Sequence, residues 1–331
     1  MRFDLSAMTT KKKIFIAGNN GMVGQAMCRA ISKMDNVQVI SAPRKDLDLT
    51  RQDQVEEYVK LHKPDEIYVV AAKVGGIVAN RDYPAQFIYE NLMIESNIIN
   101  VAYKEGVSKL IFFGSSCIYP KLSKQPIKEE YLLTGLLEPT NEPYAIAKIA
   151  GIKLCESFNR QYGTDFRSVM PSNLYGPGDN YNPKNSHVIP GLISRFHKAK
   201  INGDESVTVW GSGNALREFM HVDDLANAVV FLGEVSKEEF QDKTHPMCAH
   251  VNIGSGEERS IGEIANIIKN ITDYEGEIIF DTSIPDGTPR KILDSSLMRS
   301  FNWEPKINLE QGLEMAYSDY LNSLESGSIR I

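Results

Sequence analysis

The sequence predicts an α/β protein built on a doubly wound parallel sheet, with a smaller α/β lobe in its C-terminal half. Three observations lead to this prediction: short apolar runs alternate with helical patterns, a glycine-rich loop follows the first run, and the alternation loosens after about residue 174. The runs are apolar throughout rather than at every second position, which is typical of parallel strands covered on both faces.

The first half of the chain alternates strand and helix regularly. Strands are expected at residues 13–18, 37–42, 66–72, 109–114 and 166–170. Helices are expected at about 24–34, 50–61, 84–105 and 143–163, the last with Pro143 in its first turn. Further strands at 206–210, 250–253 and 277–280 lie among the helices of the second half. Residues 1–11 are expected to form a frayed tail.

Composition excludes several classes of protein. The formal net charge is −7, with 36 Lys and Arg against 43 Asp and Glu, so a nucleic-acid partner is not expected. No apolar run reaches the roughly 18 residues of a membrane span. The four cysteines form no Cys-x-x-Cys pair and have no histidine at metal-ligand spacing, so neither a metal site nor a disulfide framework is expected. Reduced thiols favour a cytoplasmic protein.

A glycine-rich loop joins the first strand to the first helix, as a dinucleotide site of the Rossmann type requires. Its glycines let the backbone approach a pyrophosphate, and the helix N-terminus supplies N–H groups. The alternative is an ordinary tight turn between strand and helix. Small residues at the end of the third strand would let a flat cofactor pass. The predicted contacts of this part are Gly18, Asn20, Gly21, Met22, Val23, Gly24, Ala71 and Ala72.

The residues at the end of the second strand indicate which dinucleotide the protein prefers. An acidic residue there would grip the ribose hydroxyls of NAD, but this chain has Arg44, which suits the 2′-phosphate of NADP. NADP(H) is therefore the predicted cofactor, with Asp48 and Leu49 flanking the adenine ring. The alternative is that Arg44 is a solvated loop charge.

Tyr144 and Lys148 are four residues apart and share one helix face. A phenol beside an ammonium is a proton donor suited to carbonyl reduction, and the charge of Lys148 is expected to favour the phenolate. Lys148 would also hold the nicotinamide ribose. Ser115 or Ser116, at the end of the fourth strand, would hydrogen-bond the carbonyl oxygen. Tyr-x-x-x-Lys alone also occurs on solvated helix faces, so the prediction depends on the combination with the glycine loop.

Several longer strings resemble the GDP-L-fucose synthases, within the extended short-chain dehydrogenase/reductase superfamily. The strings cover residues 71–80, 114–121, 141–156, 185–190, 210–213, 217–224 and 285–291, and the resemblance runs through nearly the whole chain from Lys13. It implies a bifunctional NADPH-dependent enzyme that epimerises C3 and C5 of GDP-4-keto-6-deoxy-D-mannose and then reduces C4. The predicted dinucleotide domain spans 12–174. The predicted substrate lobe spans 175–331, with segments near 206–235 and 250–260 returning to the main sheet.

The resemblance assigns the two proton transfers of the epimerisation to Cys117 and His187. Thiols and imidazoles titrate near neutral pH, so both can exchange protons with carbons acidified by the C4 ketone. From the residues alone, Cys117 would be a small buried apolar residue and His187 a loop histidine. Which of the two is base and which is acid stays open.

The resemblance also implies the remaining contacts. Arg195, Arg217 and Lys291 would bind the GDP diphosphate and Trp210 would pack on the substrate, with Asn173 holding substrate or cofactor. Further cofactor contacts are Ser116, Pro171, Leu174 and His187. Asn20 stands where the family carries a basic residue in the glycine loop, so Arg44 would have less help with a 2′-phosphate. A homodimer through helices near 84–105 and 143–162 is implied.

Two alternatives differ from this interpretation. One is another nucleotide-sugar epimerase, reductase or dehydratase of the same superfamily, which would not need both Cys117 and His187. The other is a non-catalytic dinucleotide sensor, against which the intact set of Tyr144 and Lys148 weighs.

Overall fold

The computed structural model describes residues 11–183, 186–284 and 286–331. The tail expected at residues 1–11 lies outside these ranges except for its last residue. Within them, no helix is both long and apolar enough to cross a lipid bilayer.

Twelve strands and eleven helices are described in these ranges. The strands are β1 Lys12–Ala17, β2 Val37–Ile40, β3 Glu66–Val69, β4 Lys109–Phe113, β5 Phe166–Pro171, β6 Asn173–Tyr175, β7 Ser206–Trp210, β8 Leu216–His221, β9 His250–Ile253, β10 Glu258–Ser260, β11 Glu277–Asp281 and β12 Arg290–Lys291. The helices are α1 Met22–Ile31, α2 Gln52–His62, α3 Ile77–Asp82, α4 Pro84–Lys104, α5 Glu142–Tyr162, α6 Val188–Asn202, α7 Val222–Glu234, α8 Lys237–Lys243, α9 Ile261–Ile271, α10 Ser296–Ser300 and α11 Leu309–Glu325. Short 3₁₀ turns span Ser116–Ile118 and Glu129–Tyr131.

The main sheet has six parallel strands in the order β2-β1-β3-β4-β5-β9. Apolar side chains of α2, α4 and α5 pack on one face of this sheet, and those of α1 and α7 pack on the other. This arrangement confirms the predicted doubly wound α/β fold. The strand order reverses between β1 and β3, since β2 lies on one side of β1 and the later strands lie on the other; in such sheets ligands bind at the carboxyl ends of the strands beside that point.

The C-terminal part adds two small sheets. Strands β10, β8 and β12 form one with β6 attached to β8, and β7 pairs with β11 in the other. A third apolar cluster, with side chains from α6, α9 and α11, lies beneath them. The sequence analysis missed β6, β8, β10 and β12, because these strands are short or rich in charged residues.

Residues 206–235 were expected to include segments that return to the main sheet, but the strands of this range, β7 and β8, lie outside it. Helix α7 packs on the sheet, whereas β7 pairs in parallel with β11 outside it. Burial alternates along β7, with Val207 and Val209 inside and Thr208 and Trp210 outside. A strand with one solvent-exposed face does not suit a sheet that is covered by helices on both sides. In the segment 250–260, β9 joins the main sheet and β10 does not.

Candidate active site at the carboxyl edge of the sheet

The glycine loop between β1 and α1 lies tightly against the end of β3. Gly18 has a φ of +100°, and a Cβ there would lie 2.6 Å from the Ala71 nitrogen. A Cβ on Gly24 would lie 2.1 Å from the Gly18 carbonyl oxygen. Both positions therefore require glycine, one for its conformation and both for space. The turn brings the start of α1 to the carboxyl edge of the sheet.

Helix α1 begins at this edge with its first N–H groups uncapped by any side chain, since its N-cap residue is Gly21. Met22 and Val23 are half-buried and pack on the core beneath the loop. Asn20 is exposed, and its backbone carbonyl oxygen accepts a hydrogen bond of 3.2 Å from the side-chain amide of Gln25. An uncapped helix start behind a glycine turn fits a dinucleotide pyrophosphate.

Two cations meet one carboxylate beside this loop. The exposed Arg44 guanidinium lies 3.5 Å from one oxygen of Glu90, and the Lys73 ammonium lies 2.5 Å from the other. Lys73 lies in the segment that follows β3, and sequence reasoning missed it. Its position four residues after a buried strand that ends at the ligand edge was the available signal.

The predicted adenine contacts lie in the turn before α2. Two hydrogen bonds from Thr50 hold the Asp48 carboxylate, at 3.0 Å from the backbone and 2.8 Å from the hydroxyl. Partial burial would raise the pKa of Asp48, but these bonds lower it. Leu49 packs on the core, and its carbonyl accepts a bond of 3.0 Å from Asn97. The Ala71 amide donates to Ala17 at 2.7 Å, which ties the ends of β1 and β3 together.

Helix α5 presents Lys148 and Tyr144 to the end of β4. The buried Lys148 ammonium donates to the Phe113 carbonyl at 3.0 Å and lies 4.5 Å from the centre of the Phe112 ring. One turn earlier on α5, the Tyr144 hydroxyl lies close to the Ser115 side chain. The Phe87 ring of α4 meets the Tyr144 ring edge-on, with centroids 6.4 Å apart.

Cys117 lies beside the same hydroxyls. Ser115 caps the 3₁₀ turn Ser116–Ile118 by accepting a hydrogen bond of 3.3 Å from the Cys117 amide. The half-buried Cys117 thiol is close enough to Tyr144 to interact with it electrostatically. Ser116, in contrast, is buried within the turn. The structure thus brings four of the five predicted catalytic residues together: Ser115, Cys117, Tyr144 and Lys148.

The expectation that Lys148 lowers the pKa of Tyr144 is wrong in direction. Burial raises the pKa of the Tyr144 phenol, and the neighbouring Cys117 and Glu95 add to this, while the nearby Ser115 hydroxyl opposes it. Burial also lowers the pKa of Lys148. Both shifts have the same cause, because removal from water disfavours a phenolate and an ammonium alike. Tyr144 is therefore a protonated phenol near neutral pH, the form that donates a proton.

His187 is the fifth predicted catalytic residue and lies apart from the other four in its contacts. It occupies the N-cap position of α6, and its exposed side chain makes no cap hydrogen bond. The surrounding protein lowers its pKa by desolvation. No hydrogen bond or ring contact among the described residues joins His187 to Cys117 or Tyr144, so their pairing stays a prediction.

The other predicted contacts follow β5. Pro171 ends that strand and is buried, and Leu174 packs on the core. Asn173 begins β6, where its side-chain amide donates to the Glu218 carbonyl at 2.9 Å. These residues connect the carboxyl edge of the main sheet with β8 of the second sheet.

Four predicted substrate residues form two pairs on the C-terminal part. The Arg195 guanidinium lies 5.6 Å from the centre of the exposed Trp210 ring, and Arg217 is in register with Lys291 on adjacent parallel strands. Asp286 connects the pairs: it accepts two hydrogen bonds from Ser212, two residues after Trp210, and acts electrostatically on Arg217. Burial lowers the pKa of both arginines. Arg195, Trp210, Arg217 and Lys291 therefore lie along one linked wall.

Helix α4 contributes a carboxyl group that sequence reasoning missed. Glu95 is only 1% exposed and interacts electrostatically with Lys148. The signal was present, because Asn91, Glu95 and Ile98 follow the 4–3 spacing of a buried helix stripe, and an acid on such a stripe needs a partner.

The chain is similar to known proteins over most of its length. The model of the NAD dependent epimerase/dehydratase family matches residues 14–254. GDP-L-fucose synthase of Escherichia coli K12 is 52% identical over 314 residues, which are 95% of this chain and 98% of that protein. The chain superposes on MlghC, a GDP-mannoheptose C4 reductase of Campylobacter jejuni solved with NADP, with a TM-score of 0.86 and 36% identity over 95% of this chain and 100% of that chain. It also superposes on a GDP-L-fucose synthetase of Naegleria fowleri bound to NADP, with a TM-score of 0.85 and 29% identity over 97% and 96% of the two chains.

Proposed function

The chain belongs to the NAD dependent epimerase/dehydratase family, and from this premise we propose that it is an NADPH-dependent epimerase–reductase. Its substrate is GDP-4-keto-6-deoxy-D-mannose and its product GDP-L-fucose. The cluster of Ser115, Cys117, Tyr144 and Lys148 is the observation that carries this proposal. It combines the proton donor of a carbonyl reductase with a thiol that carbonyl reduction does not use.

The ketone oxygen at C4 binds between the Ser115 and Tyr144 hydroxyls. Two donors aimed at this oxygen stabilise the enolate that forms when a proton leaves C3 or C5. Inversion requires one group that removes the proton and another that returns it on the opposite face. Cys117 takes one of these roles, and His187 takes the other.

Reduction uses the same oxygen site. Bound NADPH supplies the hydride to C4, and the charge that develops on the oxygen is met by the Tyr144 proton. The raised pKa of Tyr144 keeps that proton in place until the oxygen becomes basic enough to accept it. Lys148 holds the nicotinamide ribose and balances the charge left on the phenol.

The glycine loop and the start of α1 would hold the pyrophosphate of NADP(H), and Arg44 would hold its 2′-phosphate. Lys73 is a second cation for this phosphate, since it shares Glu90 with Arg44. It compensates for Asn20, which brings no charge to the loop. Residues 12–174 form the dinucleotide domain and 175–331 mainly the substrate lobe, where the wall from Arg195 to Lys291 binds the GDP diphosphate.

Another nucleotide-sugar reductase is the main competing function, since a GDP-mannoheptose C4 reductase shares the fold. A dinucleotide sensor is the competitor from a different class. The deciding experiment incubates the protein with GDP-4-keto-6-deoxy-D-mannose and NADPH and identifies the sugar. GDP-L-fucose supports the proposal. A product reduced at C4 with C3 and C5 unchanged supports a simple reductase, and tight NADPH binding without any product supports a sensor.

The reaction is proposed to take place in the cytoplasm, since Cys28, Cys117, Cys155 and Cys248 are all free thiols. Isolation of the native protein from an oxidising compartment, with these cysteines in disulfides, would contradict this.

Tyr144→Phe removes the proton donor and keeps the ring. We expect reduction to fall by about 10²-fold or more, because general acid catalysis contributes 10²–10⁴-fold. Deuterium uptake at C3 and C5 in D₂O, measured with NADP⁺, should persist, since Ser115 still holds the ketone oxygen. Reduction at the wild-type rate would remove Tyr144 from this role.

Cys117→Ser replaces the thiol by a group that is far harder to ionise. We expect epimerisation at C3 and C5 to fall by about 10²-fold or more, because each inversion needs both proton-transfer groups. Cys28→Ser is the matched control, because Cys28 is a half-buried thiol of α1 that packs on the opposite face of the sheet. Wild-type formation of the fucose sugar by the Cys117 variant would exclude the thiol from the mechanism.

Arg44→Ala and Lys73→Ala test the cofactor preference. Each should raise the KM for NADPH about tenfold, the equivalent of one charge-assisted hydrogen bond, and change the KM for NADH much less. Arg51→Ala is the control, since Arg51 is an exposed arginine paired with Asp53. Equal effects on the two cofactors would mean that neither cation reads the 2′-phosphate.

A homodimer is proposed through the outer faces of α4 and α5. Tyr89, Ile146 and Tyr162 are 63%, 40% and 46% exposed on this surface, where a pocket of about 290 Å³ also lies between the two helices. The mass in solution should be about twice 37.0 kDa. Tyr89→Glu should shift it toward a monomer, and a wild-type mass of one chain in equilibrium sedimentation would exclude this dimer.

A further inference from the structure

The Glu95 carboxyl group lies inside the protein without a hydrogen bond. It projects from α4 toward α5, and neither of its oxygens has a hydrogen-bond partner among the described residues. A buried carboxylate loses its hydration and must recover that free energy from a nearby opposite charge or take up a proton. What faces this carboxyl group therefore decides its role.

Helix α5 has a glycine at the point where this carboxyl group enters. A Cβ on Gly151 would lie 2.9 Å from Glu95 Oε2 and 2.4 Å from the Phe112 ring. The absence of a side chain at 151 thus makes room for the acid and the ring together. Lys148 lies three residues earlier on the same helix, with its ammonium over that Phe112 ring at 4.5 Å.

We propose that Glu95 is the counter-ion of Lys148: on the alkaline side of neutrality it keeps the buried ammonium charged and positioned for NADPH binding and for proton delivery through Tyr144. This inference rests on the reduction proposed above, and it assigns Glu95 a positioning role, because Glu95 acts through Lys148.

The charges around the pair support this assignment. Lys148 is the cation that faces Glu95, and the other titratable groups near it on α5 are Tyr144 and Cys155. Burial raises the pKa of both of those, so both are neutral near pH 7. Burial raises the pKa of Glu95 to about 8, while Lys148 opposes this rise, so the carboxyl group carries its charge on the alkaline side, where the ammonium would otherwise lose its proton. The Gly151 amide faces the carboxyl group and also favours its ionised form, although outside hydrogen-bond geometry.

The sign of the pH effect follows from this arrangement. Burial lowers the pKa of Lys148, and the charge of Glu95 raises it again. Glu95→Gln keeps the shape of the side chain and removes that charge, so the Lys148 ammonium should lose its proton at lower pH. Functions that need the ammonium should then fail on the alkaline side first, whereas a purely structural defect would lower them at every pH.

The first measurement uses NADPH alone, so it does not depend on the sugar. We expect the alkaline loss of NADPH affinity to move down by about one pH unit or more in Glu95→Gln, since one nearby charge shifts a pKa by 1–3 units. On the alkaline side of the pH profile, the NADPH affinity of Glu95→Gln should fall about tenfold below that of wild type. On the acidic side it should change less than threefold.

The second measurement uses the full reaction. Single-turnover NADPH oxidation with GDP-4-keto-6-deoxy-D-mannose should show the same shift, while deuterium exchange at C3 and C5 with NADP⁺ should stay within about twofold. If wild-type protein turns over no sugar, the proposed function fails while the NADPH measurement still decides the role of Glu95.

Two variants complete the test. Glu156→Gln is the control, because Glu156 is an equally buried acid of α5 that pairs with Lys153 at 2.7 Å, and it should leave the alkaline limb unmoved. Glu95→Asp keeps the charge and moves it away, so its shift should have the same direction and a smaller size; it decides the case if Glu95→Gln does not fold. The proposal is overturned if the alkaline loss of NADPH affinity in Glu95→Gln occurs at the wild-type pH, or if affinity falls equally at every pH.

Discussion

The contact between the Lys148 ammonium and the end of β4 is the constraint on which the site depends. Its bond of 3.0 Å to the Phe113 carbonyl fixes the position of α5 against the sheet just before the chain turns into Ser115. Because Tyr144 lies one turn earlier, the same contact places the phenol beside the Ser115 hydroxyl. A single buried amine thus sets the geometry of a proton donor and an oxygen site on two different elements.

Burial of the Lys148 ammonium costs electrostatic free energy, and this cost explains which groups surround it. An ammonium out of water is unstable alone, and here the Phe113 carbonyl and the Phe112 ring contact it, while the Glu95 carboxyl group acts on it electrostatically. The close approach of these groups requires Gly151, just as the approach of the cofactor loop to β3 requires Gly18. The glycines that matter for chemistry therefore lie where two elements meet, as much as in the loop that signals a nucleotide.

The sequence predicted the features that depend on local chemistry. The apolar runs of β1 to β5, the glycine turn at Gly18 and the Tyr144–Lys148 pair are each specified within a few residues. Features that depend on a partner far along the chain were missed: the sheet to which β7 belongs is determined by its pairing with β11, and the position of Lys73 by its ion pair with Glu90. The pKa of Tyr144 was predicted in the wrong direction because a sequence shows a neighbouring charge but does not show burial.

The wall formed by Arg195, Trp210, Arg217 and Lys291 also contains half-buried cations, and here the protein is acidic overall although a diphosphate is its proposed ligand. Among the described residues, the recorded hydrogen bonds of Arg195 and Arg217 go to backbone carbonyls, and neither guanidinium forms an ion pair with a carboxylate. Asp286 acts on Arg217 from a distance while its oxygens bond Ser212. Burial without a full counter-charge leaves both cations incompletely neutralised, which is the arrangement that the proposed diphosphate site requires. The net charge of −7 is therefore compatible with anion binding, because affinity is set by the charge that is left unpaired at the wall.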